Sequence, residues 1–66
     1  MNTAATLNDY GDTIVLSNCP PSFKPPFYCR IYCQNIDDEG DGYYRFEGVN
    51  QAIKGELLAV LRALIY

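Results

Sequence analysis

Residues 27–48 read FYCRIYCQNIDDEGDGYYRFEG. The fold depends on how this stretch divides. Residues 27–34 alternate, with Phe27, Cys29, Ile31 and Cys33 on one side and Tyr28, Arg30, Tyr32 and Gln34 on the other, which is the period of a half-buried strand. Residues 43–47 alternate again, Tyr44 and Phe46 inward, Tyr43, Arg45 and Glu47 outward. Between them, after Ile36, the carboxylates of Asp37, Asp38, Glu39 and Asp41 crowd around Gly40 and Gly42. Asp-Gly is a turn former and glycine supplies positive φ. The pattern predicts a β-hairpin with an acidic tip.

Toward the N-terminus, CPPSFKPPF (residues 19–27) holds two Pro-Pro pairs. They forbid a helix and fix a stiff, extended connection with Phe23 tucked inward. Its spacing is not a clean Pro-x-x-Pro ligand core. TIVLSN (residues 13–18) is β-branched and apolar and reads as a first strand. Residues 1–12 are small and polar, a loose or edge segment. Toward the C-terminus, Gly48 ends the hairpin and Asn50 is a suitable N-cap. Ile53, Leu57, Val60, Leu61 and Leu64 then share one helical face, with Gln51, Gly55 and Arg62 opposite. The expected architecture is α+β: a single small domain over residues 1–66, with a three-stranded, mainly antiparallel sheet and one C-terminal helix packed on one face (β-β-β-α). The expected core is Ile14, Leu16, Phe27, Cys29, Ile31, Cys33, Tyr44, Phe46 and the helix stripe.

With 66 residues, the chain buries only about 60% of its unfolded surface, which leaves little room for both a core and a deep substrate pocket. Net charge is −3, and the acid is concentrated near the start and between residues 37 and 41. Such a chain is a poor phosphate binder and a good ligand for a basic surface. No basic and apolar leader opens the sequence. LLAVLRALIY, at its end, falls well short of the ~20 residues that span a bilayer. A soluble, intracellular protein without membrane contact is expected. Three cysteines, Cys19, Cys29 and Cys33, and no histidine argue against a disulfide framework and against zinc. Buried thiols are expected, with a bridge from Cys19 to Cys29 or Cys33 left open.

Calcium chemistry tests the acidic run directly. An EF-hand loop needs oxygen ligands at positions 1, 3, 5, 7, 9 and 12 and glycine at 6. With Asp37 at the first position, Glu39, Asp41 and Gly42 fit. Arg45 and Gly48 then occupy positions 9 and 12, and no helix precedes the loop. A structural turn explains the glycines without a metal, but it explains four like charges on one tip less well. Nucleophilic catalysis lacks a histidine base, and no phosphate loop follows a strand. The expectation is no enzyme, no metal and no cofactor.

Two surfaces remain. Tyr28, Tyr32 and Tyr43, with Arg30 and Arg45, would form an aromatic and cationic sheet face of the kind on which single-stranded nucleic acids stack. The acidic run repels phosphate, so cross-strand Tyr–Arg pairing is the favoured reading of that face. The β-β-α end resembles a double-stranded-RNA-binding domain, but only Lys54 stands where that family carries several lysines. Alternatively, Tyr and Arg beside carboxylates suit a protein partner with a basic groove. Docking of a structural subunit through its apolar helix is a further alternative.

In size, charge and β-plus-α outline, with IDDEGDGYYRFE as its nearest approach to a motif, the chain resembles the small phage-encoded anti-CRISPR proteins, most of all the short inhibitors of type I systems. The resemblance implies inhibition by binding a Cas effector subunit at its basic target-DNA site; a monomer in the bacterial cytoplasm that does not itself bind nucleic acid is expected. The partner-binding residues would be Asp37, Asp38, Glu39 and Asp41, supported by Tyr43 and Glu47. A net charge of −3 with five cations remaining is modest for a DNA mimic.

Overall fold

The computed structural model describes residues 5–65. Its strands are β1 (Thr6–Asp9), β2 (Thr13–Ser17), β3 (Asn35–Gly40) and β4 (Tyr43–Glu47). They form one antiparallel sheet in the order β1-β2-β4-β3, and helix α1 (Lys54–Ile65) follows. The small α+β outline with a C-terminal helix is as the sequence predicts, but the sheet has four strands instead of three. The segment expected to be loose or at an edge supplies the extra one at residues 6–9; the part before residue 5 lies outside the described residues. Tyr10 N–H donates to Thr13 O at 2.8 Å and Gly11 N–H to an Asp9 carboxylate oxygen at 2.9 Å. Gly11 takes φ +97°, so the tight β1–β2 turn needs its glycine.

The larger correction concerns residues 27–34. They do not form a strand. Phe27–Ile31 is a short 3₁₀ helix, with Cys29 N–H donating to Pro26 O and Tyr32 N–H to Cys29 O, each at 3.0 Å. Pro26 stands just before the first turn in an extended conformation; its missing N–H costs nothing there. The buried residues are Cys29, Tyr32 and Cys33, spaced i, i+3 and i+4 as on a helical face. Phe27 and Ile31, expected in the core, are 82% and 67% exposed. β4 consequently pairs with the acidic run itself, which is strand β3 and not a loop. Its two-residue connection is Asp41-Gly42, with φ +53° and +81°, the type I′ geometry that fits a twisted hairpin.

Direct cross-strand partners share a sheet face. One face therefore carries the rows Asp9–Ile14–Phe46–Ile36 and Leu7–Leu16–Tyr44–Asp38. Leu57 and Leu61 of α1 and Cys29 of the 3₁₀ turn cover that face, and these three are fully buried with Ile14, Leu16 and Phe46. Residues 18–34 thus cross over β4 on the same side as the helix. Phe23 does turn inward: its ring meets Tyr44 edge-on at 5.4 Å, and the Tyr44 hydroxyl donates to Phe23 O at 2.9 Å. The other face presents Asn8, Val15, Arg45 and Asp37 in one row and Thr13, Glu47 and Asn35 in the next.

Asn50 caps the C-terminal helical segment as expected, accepting Ala52 N–H at 3.0 Å. The first turn, Gln51–Ile53, is 3₁₀. In the predicted stripe Leu57 and Leu61 are buried, Ile53 and Val60 half-buried and Leu64 exposed. Lys54 Nζ reaches an Asp9 carboxylate oxygen at 2.7 Å, tying α1 to β1. All three cysteines are free and buried, so Cys19 bridges neither Cys29 nor Cys33. No helix among the described residues is long and apolar enough to cross a membrane.

Candidate functional site: the β3 edge and its groove

β3 pairs on one side only. Alternate peptide groups along it face away from the sheet, as on any edge strand. The strand period then separates the carboxylates. Asp37 points to the uncovered face opposite Arg45, and Asp38 to the covered face opposite Tyr44. The register shifts between Asp38 and Gly40, and Glu39 lies 3.9 Å from Arg45 Nε on the uncovered side. Asp41 sits in the turn. Glu47 joins the same side, 3.5 Å from Arg45. Asn35 Nδ2 donates to Asp37 at 2.8 Å and to Glu47 at 3.4 Å. Tyr43, half exposed, stands opposite Gly40.

Asp37, Glu39, Glu47 and Tyr43 thus share one face around Arg45, whereas Asp38 and Asp41 do not join them. The hairpin carries five carboxylates against one arginine. The exposed Arg45 pairs are each worth ~1 kcal/mol or less and leave the surface negative. Because the carboxylates are dispersed, no three acidic or cysteine side chains gather into a metal site among the described residues. Four like charges also gain a structural cause. Charged side chains and a bulge are common means by which an edge strand avoids pairing with a second copy of itself.

The tip is anchored. Cys19 N–H donates to Gly42 O at 3.0 Å. A Cβ on Gly42 would stand 2.6 Å from Cys19 O and 2.9 Å from Cys19 N, so only glycine allows the approach. Burial raises the Cys19, Cys29 and Cys33 thiols above their ordinary values and makes them poor nucleophiles. Tyr44 is raised by burial and then by nearby Asp38.

Beside the covered side of β3 runs a groove of about 300 Å³. The sheet contributes Ile36, Asp38 and Tyr44. The crossing segment contributes Pro25, Pro26 and the exposed Phe27, with Lys24 and Arg30 alongside. Arg30 lies 5.5 Å from the centre of the Phe27 ring. Residues 18–34 contain these two cations and no carboxylate, and neither cation is in ion-pair contact with a carboxylate among the described residues. The edge therefore has an acidic side and an apolar side where Lys24 and Arg30 outnumber Asp38. A strand over residues 27–34 would leave no such groove. The charge pattern of residues 18–34 was the sequence signal that could have revealed it.

The aromatic platform is not assembled. Tyr28 belongs to the 3₁₀ helix, Tyr32 caps its end and is buried, and Tyr43 lies on the uncovered sheet face. No family model, curated protein or solved structure matches this chain.

Proposed function

We propose that this chain is a protein-binding inhibitor that acts as a monomer and presents the β3–β4 hairpin to a basic surface of its partner. The observation that carries this reading is the open β3 edge flanked by Asp37, Glu39 and Glu47 on one face. A field of this sign speeds encounter with a basic surface and disfavours acidic ones. On the resemblance of size, charge and outline to anti-CRISPR proteins, a Cas effector subunit, met at its DNA-binding groove, is the first partner to test. The acidic hairpin also argues against direct nucleic-acid binding, as does the dispersal of the three tyrosines.

The test compares the parent chain with a variant carrying Asp37→Asn, Asp38→Asn, Glu39→Gln and Asp41→Asn. All four side chains are at least partly exposed, so circular dichroism should show an intact fold. Tagged parent chain should retain a nucleic-acid-binding complex from lysates containing CRISPR effectors at low salt and release it at high salt. The neutralised variant should retain none. Equal retention by both chains refutes the reading.

A further inference from the structure

The geometry points to β-strand addition: the partner docks as an extended segment along β3, with basic residues toward Asp37 and Glu39 and apolar residues toward the groove beside Phe27. This rests on the protein-binding reading and names its mode and partner chemistry. An added strand sends alternate side chains to opposite faces. On the uncovered face they meet Asp37, which has no cation in ion-pair contact among the described residues, and Glu39, which reaches Arg45 only at 3.9 Å. On the covered face they meet Ile36 and Phe27, with Asp38 set against Lys24 and Arg30. The first face sets Asp37, Glu39 and Glu47 against Arg45, and the second sets Asp38 against Lys24 and Arg30, so charge favours basic side chains on the first face. The groove, about 300 Å³, holds an apolar side chain of Leu or Phe size. The 82% exposure of Phe27 gives that side chain an aromatic surface to bury. A second copy of β3 is the wrong occupant, because it would set carboxylates against carboxylates.

The probe is a short peptide of alternating arginine and valine. Its control is the same peptide N-methylated on the amides that would face β3, which keeps charge and composition but cannot form the ladder. The expected result is binding of the first peptide, slowed hydrogen exchange at β3 amides, and weakening of about a hundredfold on methylation as several backbone bonds are lost. Phe27→Ser, an exposed change that leaves the fold intact, should weaken binding about tenfold. Equal binding of both peptides overturns strand addition and leaves electrostatic protein binding standing. Failure of both peptides overturns it as well. If the neutralised hairpin also captures the lysate partner as well as the parent does, the underlying reading falls with it.

Discussion

Gly42 and Gly40 make a controlled pair. Both have positive φ, +81° and +85°, and alanine at either incurs a left-handed strain of about 1–2 kcal/mol. They differ in surroundings. Nothing lies within 4 Å of a Cβ on Gly40, whereas one on Gly42 meets the Cys19 backbone at 2.6 and 2.9 Å. That backbone cannot move away without breaking the 3.0 Å bond from Cys19 N–H to Gly42 O, worth about 1 kcal/mol. Overpacking adds about 1–3 kcal/mol. Gly40→Ala should therefore cost about 1–2 kcal/mol and Gly42→Ala about 3–6. A domain of this size has a total stability of about 3–10 kcal/mol. Urea unfolding followed by circular dichroism reads the difference. With a slope of about 1 kcal/mol per M, the Gly42→Ala midpoint should fall about 2 M or more below that of Gly40→Ala, or the chain should be unfolded without urea. Midpoints within about 0.5 M of each other would refute the claim that the acidic tip is held against Cys19.

Gly55 lies in α1, and a Cβ added there meets nothing within 4 Å, so Gly55→Ala should raise stability by about 1 kcal/mol, seen as a higher urea midpoint. Asp9 is held below its ordinary pKa, first by the hydrogen bond from Lys54 and then by Gly11 N–H. A depressed folded value gives stability that is present above the unfolded pKa of about 3.9 and lost as pH falls through the folded value. Thermal midpoints of the parent should accordingly drop more steeply on acidification than those of Lys54→Met, and the gap between them should close at the acid end. The three buried thiols should react with a disulfide reagent only as fast as the chain opens, and fully in denaturant. Their raised pKa values mean that unfolded thiols ionise first, so stability should decline as pH rises beyond about 8.5.

β2, β4 and α1 were legible because their apolar residues repeat at one period over enough positions. TIVLS places Ile14 and Leu16 inward, YYRFE places Phe46 inward, and Leu57 and Leu61 fall on one helical face. Residues 27–33 satisfy two periods at once. Phe27, Cys29, Ile31 and Cys33 fit a strand, while Cys29, Tyr32 and Cys33 fit a helical turn, and so short a segment cannot separate them by periodicity. Tertiary cover decides: the helical choice buries Cys29 in one cluster with Phe46 and Leu57 and leaves Phe27 outside. β3 was illegible for the opposite reason. Asp and Gly are depleted in strands, and only pairing with β4 makes NIDDEG extended. The carboxylates of the candidate site were visible in the sequence. Their division between two faces was not, because it exists only once the run is a strand.

The order β1-β2-β4-β3 has a kinetic consequence. β1–β2 and β3–β4 are local hairpins whose pairing closes short loops. Among the strand pairings of the described residues, only the β2–β4 seam joins distant parts of the chain, and along it Ile14 stands directly opposite Phe46. Closing that seam carries most of the loop-closure entropy. Folding is expected to be limited there, so trimming Ile14 or Phe46 should slow folding, whereas changes in β1 should mainly quicken unfolding. The acidic edge would then be completed before the molecule is: the hairpin that carries it can form while the seam beside it is still open.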